Sequence, residues 1–138
     1  MSMDIFEIGY RYLIPSIKRM LVLELNETGL SQKEIAERMK ISRSAVSRYL
    51  SMERGAYIDL SEFSDIKDMT KRLADKISQR KLDNYELQRE ILEIAIYALS
   101  HRYICAFHES LDPEIDPRKC DICPTLFKAS SISFRQHL

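Results

Sequence analysis

Apolar residues recur at spacings of three and four along most of this chain, a period that predicts an all-α protein. Positions 4–27 carry Ile5, Ile8, Leu13, Ile17, Met20, Leu21 and Leu25 on a helical repeat. Pro15 either kinks this helix or begins a new one after Leu13 and Ile14, and the stretch from Asn26 to Gly29 ends it. Ser31 stands three residues before Glu34, a capping box that opens a short helix with Ile35, Ala36 and Met39 apolar. Ser42 is placed to cap the next one, which turns Ala45, Val46, Tyr49 and Leu50 inward. A further turn at Met52 to Arg54 stops at Gly55, and Tyr57 to Leu60 reads as a brief extended connector.

Residues 62–80 place Phe63, Ile66, Met69, Leu73 and Ile77 on one face of an amphipathic helix. Asp83 and Glu86 form a second capping box, launching a helix with two apolar stripes. One holds Leu87, Ile91, Ile94 and Ala98, the other Leu92, Ala95, Leu99 and Tyr103. A helix apolar over that much of its circumference is buried on more than one side. In a chain this small the second side is most simply another subunit, a homodimer; the alternative is a central helix of the monomer's own core.

Two short helices broken once, with small Ala36 and branched Val46 where they cross, are the sequence form of a DNA-reading helix-turn-helix. The plain alternative is a helical hairpin with a solvated face. A capping box, a short turn and a basic, hydroxyl-rich second helix together weigh against it. On double-stranded DNA, Gln32 at the amino end of the first helix would meet a phosphate. Ser42, Arg43, Ser44, Ser47 and Arg48 face outward, and the last four would enter the major groove, where Arg pairs bidentately with guanine. Lys33 and Arg54 suit backbone contacts. Phosphate contact or a solvated charge is the alternative for each arginine, and a surface hydroxyl for Ser47. Single helix-turn-helix units generally bind as pairs on half-sites, which also fits a dimer.

Charge makes the motif stand out locally. The 138 residues hold 21 Lys and Arg against 21 Asp and Glu, so the chain is neutral. Residues 31–54 nevertheless set Lys33, Arg38, Lys40, Arg43, Arg48 and Arg54 against only Glu34, Glu37 and Glu53. Binding through such a patch falls steeply with salt. Apolar runs are short and broken by charge, so no membrane span is expected, and the N-terminal residues lack a secretory signal's basic and apolar regions. The expected location is cytoplasmic. With 3 Gly, no glycine-rich phosphate loop and no nucleophile–base pairing by sequence, the chain is not expected to be an enzyme.

Three cysteines gather near the end. Cys105 and His108 stand three residues apart, Cys120 and Cys123 form a C-x2-C knuckle, and a proline- and charge-rich loop joins the pairs. Two pairs of soft or borderline ligands are what a tetrahedral Zn²⁺ site needs. His101 is a substitute ligand and His137 a remote one. An iron–sulfur cluster held by three Cys and a His is the alternative, and would make the protein a redox or oxygen sensor. The remaining reading is reduced cysteines in a small core, with a redox-active or disulfide-bonded C-x2-C.

The stretch from Leu30 to Leu50 resembles the phage-repressor (Cro/CI, XRE-like) helix-turn-helix superfamily: Ser31-Gln32 opens the first helix, Ala36 is the crossing residue and Val46 the buried anchor. It departs at Lys40, where that superfamily usually has the Gly of the turn. A non-Gly residue at positive φ there costs on the order of 1 kcal/mol. Ile14-Pro15-Ser-Ile-Lys-Arg19, Gly29-Leu-Ser-Gln32, Ala45-Val-Ser-Arg-Tyr-Leu50, Arg54-Gly55 and a terminal Cys/His cluster are, in that order, similar to a group of predicted archaeal transcriptional regulators. The likeness is most specific over residues 12–55. It implies a DNA-binding regulator with a metal- or cluster-binding tail. Many members of that group carry a further cysteine near the amino terminus, but positions 4–8 here are Asp-Ile-Phe-Glu-Ile. That absence argues against a four-cysteine cluster and for zinc. The expected organisation is a helix-turn-helix bundle over 1–60, a helical dimerisation region over 61–104 and a metal-binding tail over 105–138. The expected function is a dimeric repressor. A helix-turn-helix used for protein docking in a transcription or replication assembly is the rival, favoured by net neutrality and the acidic residues from Glu109 to Asp116.

Overall fold

The N-terminal periodicity folds as one helical run with a widened turn inside it. In the computed structural model, described over residues 3–128, α1 (Ile5–Ile8) passes through a π-helical turn (Gly9–Leu13) into α2 (Ile14–Glu27). Pro15 accounts for the widening: it has no N–H, and its ring crowds the carbonyl four residues back. The Ile14 N–H reaches back five residues to the Gly9 carbonyl, and the Ser16 hydroxyl donates to the Tyr12 carbonyl at 2.7 Å. Neither a sharp kink nor a fresh helix start is needed.

The chain continues through α3 (Gln32–Met39), α4 (Arg43–Leu50), a 3₁₀ turn (Leu60–Glu62), α5 (Ser64–Gln79), α6 (Asn84–Ser100), α7 (Cys105–Leu111) and α8 (Ile122–Leu126). The protein is all-α, and the described residues contain no strand. Caps set the boundaries as expected. Ser31, Ser42 and Asp83 each accept the N–H three residues on, at 3.1, 3.0 and 2.8 Å. At the first of these the Ser31 hydroxyl also donates to the Glu34 carboxylate at 3.1 Å. The connector before α5 is turned rather than extended, because the Asp59 carboxylate accepts the Ser61 N–H at 3.0 Å and starts the 3₁₀ turn.

α2 is the post against which α3, α4, α5 and α6 all pack. One cluster of buried side chains runs from Ile8 through Val46 and Ile77 to Ile104, crossing position 60 without a break. Gly55 fixes the end of the helix-turn-helix to that post. Its φ is +75°, and a Cβ there would stand 2.4 Å from the Pro15 carbonyl oxygen.

Both apolar stripes of α6 find cover inside the chain. Leu87, Ile91, Ile94 and Ala98 are buried, as are Ala95 and Leu99 of the second stripe, and α6 packs against α2, α5 and α8. Only Leu92 of these eight positions is largely exposed, at 49%. The burial on two sides that suggested a second subunit is thus supplied by the monomer, because the C-terminal segment folds back over the second stripe. No helix among the described residues is long and apolar enough to cross a membrane.

Candidate nucleic-acid interface and cysteine cavity

α3 and α4 meet through buried Ala36 and Val46, the small and branched pair that lets two short helices cross closely. Between them Lys40 takes φ 57° and ψ 42°, the left-handed conformation that the turn demands. Its N–H and that of Ile41 both bond the Ala36 carbonyl, the latter at 3.0 Å, which ends α3 within one residue. α4 then starts at once from its Ser42 cap and buries Ala45, Val46 and Tyr49.

What α4 leaves outside is a row of hydroxyls and guanidiniums. Arg43, Ser44, Ser47 and Arg48 are all exposed, and so are Gln32 and Lys33 in the first turn of α3. The Ser42 hydroxyl is engaged as the cap and lies 3.1 Å from the Ser44 hydroxyl. Arg54 is half-buried, its guanidinium 5.8 Å from the centre of the Tyr49 ring. Burial pushes the Tyr49 phenol above its ordinary pKa, with Arg54 pulling the other way. One charge counted in the basic stretch is directed inward: Arg38 donates to the Ile77 and Ser78 carbonyls at 2.8 and 3.3 Å, tying α3 to the end of α5. The +3 excess therefore overstates what the outer surface presents.

The second site is a cavity at the opposite end of α6. Cys105, His108, Cys120 and Cys123 line it together with Ile5, Leu99 and Ile104, and its free space is 20 Å³. That is room for about one water-sized particle. All three cysteines are free thiols. Burial pushes the Cys123 thiol up to about 11, with Cys105 and Cys120 nearby adding to the effect. Burial also raises Cys105, opposed by the adjacent Arg102 guanidinium. The His108 Nε2 lies 2.8 Å from the Met3 carbonyl oxygen. A carbonyl only accepts, so that nitrogen carries the proton, which leaves Nδ1 as the ring nitrogen that a metal would take, with the carbonyl as outer-shell partner. The donor set is chemically suited to a metal ion. Yet among the described residues no group of three or more His, Cys, Asp or Glu side chains is drawn close enough to hold one.

Of the two expected substitutes, the described one stands apart from the cavity. His101 stacks on Tyr97 at 3.9 Å with its Nδ1 2.9 Å from the Tyr97 carbonyl oxygen, and His137 lies outside the described residues. Sequence reasoning missed Arg102. It sits at φ 63° just after α6 and donates to the Cys120 carbonyl at 2.7 Å and the Pro117 carbonyl at 3.4 Å, holding the second cysteine pair against the first. Acceptors on the backbone leave no mark in a sequence, so nothing in the spacing pointed to it or to Met3.

Comparison with known proteins defines the class of the N-terminal part. Residues 16–57 match the Homeodomain-like domain family, which makes α2, α3 and α4 a helix-turn-helix domain of the DNA-binding kind. Over 82 residues the chain is 32% identical to the ferredoxin-type protein FwdE of Methanocaldococcus jannaschii. The match covers 59% of this chain and 56% of that protein, so the chain spans little more than half of its relative's length. No solved structure matches the chain.

Proposed function

We propose that this protein is a sequence-specific DNA-binding transcriptional regulator that lays α4 in the major groove and carries a metal site in its C-terminal tail. The observation that carries the first half is the outward row of Arg43, Ser44, Ser47 and Arg48 on a helix capped by Ser42 and anchored by Val46. Arginine and serine there read base edges, while Gln32, Lys33 and Arg54 take the backbone. The burial of Ala36 and Val46 at the crossing supports the phage-repressor kinship of the motif. A homodimer on paired half-sites and repression are the expected mode; the dimer rests on the geometry of half-site binding and not on α6.

Titration of a fluorescent duplex at several salt concentrations tests this. Affinity falls with salt, with log K losing about 0.9 per phosphate contact for each decade. Arg43→Ala and Arg48→Ala weaken specific binding about tenfold or more each with an unchanged melting temperature. A salt slope near zero, or wild-type affinity in both variants, overturns the reading and leaves a protein-docking module.

For the tail, Cys105, Cys120, Cys123 and His108 through Nδ1 are the proposed ligands, and zinc is the proposed ion. A cavity with room for one particle and a mixed sulfur and nitrogen donor set favour a single ion, which would supply structural cross-linking. The ferredoxin-type relative favours the iron–sulfur alternative. Elemental analysis with a visible spectrum of anaerobically purified protein separates them: stoichiometric zinc without colour is expected, charge-transfer bands assign the cluster, and neither metal removes the proposal.

A further inference from the structure

A groove of 320 Å³ runs between α2, the turn of the helix-turn-helix and α6. Ile14, Ile41, Ile91 and Leu92 supply apolar walls, and Lys18 and Lys40 stand at it as the charged groups. No carboxylate lines it, and neither lysine forms an ion pair among the described residues. Its volume falls within the range of roughly 300 to 1,000 Å³ typical of small-molecule sites, which combine apolar walls with a few polar anchors.

We infer that this groove binds an amphipathic anion, a small apolar body with one carboxylate or phosphate head, and that its occupant adjusts DNA binding. The charge identifies the head, because two cations without ion-pair partners beside apolar walls favour an anion. The walls identify the body: a bare phosphate, or the backbone of a nucleic acid, gains nothing from Ile14, Ile41, Ile91 and Leu92. A second copy of this chain is disfavoured by symmetry. A two-fold contact through this face would gather two copies of Lys18 and of Lys40 in one interface whose lining holds no carboxylate to offset them. Coupling follows from position. Lys40 and Ile41 make up the turn that fixes the angle between α3 and α4, so a ligand held by them bears directly on the recognition helix. This coupling rests on the DNA-binding reading above, whereas occupancy of the groove does not.

Titration of the ¹⁵N-labelled full chain with octanoate, and separately with octanol, tests the groove. Octanoate shifts the amides of Lys40, Ile41, Gln88 and Leu92 saturably, and octanol binds about tenfold more weakly. Lys18→Gln and Lys40→Gly each weaken octanoate about tenfold. The second variant also relieves the left-handed strain, and a urea midpoint at or above that of the wild type separates its loss of binding from unfolding. Equal binding of acid and alcohol, unchanged affinity in both variants, or shifts confined to the exposed Phe6 and Tyr10 overturns the site. Sedimentation showing a dimer that octanoate dissociates assigns the groove to a second copy and also overturns it. Duplex affinity measured with and without octanoate reads the coupling. A change of several-fold is expected, and no change overturns the regulatory half. A protein that binds no duplex refutes the DNA reading, while the amide shifts still decide the groove.

Discussion

Lys40 takes a conformation that costs an L-residue on the order of 1 kcal/mol, and it does so in the turn that joins α3 to α4. Replacing it by glycine is expected to raise stability by about 1 kcal/mol, read as a higher urea midpoint at constant slope. A lower midpoint would mean that the lysine's aliphatic stem contributes more at Met39 and Ile41 than the strain takes away. Asp65 makes the opposite kind of case, a residue whose ionised form the fold selects. Burial pushes its carboxyl up, but the phenols of Tyr103 and Tyr97, at 2.6 and 2.7 Å, and the Ile66 N–H outweigh it and hold the carboxyl below the ordinary range. The same bonds raise the Tyr103 phenol to about 12. A lowered folded pKa stabilises the native state above the unfolded value near 3.8 and is lost as pH falls through the folded one. The raised phenol contributes below its unfolded value of 10.0, and that contribution is lost as pH climbs through about 12. In Asp65→Asn, melting temperature measured from pH 6 down to pH 2 is therefore expected to fall less than in the wild type. Parallel curves would show that Asp65 is not a source of the acid sensitivity.

Elements formed where periodicity and caps agreed, and departed where a distant partner decided. The stripe Ile66, Leu73 and Ile77 and the box Asp83-Glu86 place α5 and α6 nearly to the residue. The π turn is invisible in the pattern because it alters a hydrogen-bond count without altering which residues are apolar. The two stripes of α6 announce burial on two sides, but a stripe does not say whose side chains lie on it. Gly55 was legible as a stop and illegible as a contact. With a Cβ 2.4 Å from the Pro15 carbonyl oxygen and 2.9 Å from the Arg19 Cβ, alanine there forces the end of the helix-turn-helix off α2. Gly55→Ala is expected to cost about 2 kcal/mol or more by chemical denaturation and to weaken duplex binding beyond the unfolded fraction. The outward residues Arg43, Ser44, Ser47 and Arg48 were legible because exposure follows from the helical repeat alone. The cysteine pairs were legible as spacing, while Arg102 and the Met3 carbonyl, which bring the tail into register, act through backbone oxygens that no motif records.

At the scale of the molecule, residues 3–12 and the segment from Cys105 to Cys123 close on each other. His108 bonds the Met3 carbonyl, Ile5 lines the cysteine cavity, and Phe107 packs edge-on against Tyr12 at 5.0 Å, whose other neighbour is Tyr57 at 5.4 Å. The tail is thus seated on α1 and the π turn, and these lead without interruption into α2, the helix that supports α3 and α4. On the proposed function, an event at the cavity would reach α2 and the helix-turn-helix through residues 3–13 as well as through α6. With the proposed metal bound, its removal tests this by hydrogen exchange. If the tail were an appendage, chelation of the metal-loaded protein would lower protection over 105–128 alone. With the tail seated as it is, protection over 3–13 falls together with it, while α5 and the Val46 core keep theirs. Cys120→Ser is expected to reproduce the pattern without chelator. Loss of protection in the tail with residues 3–13 unchanged would make the C-terminal site independent of α1, leaving Leu99 and Ile104 at the α6 end as its link to the bundle.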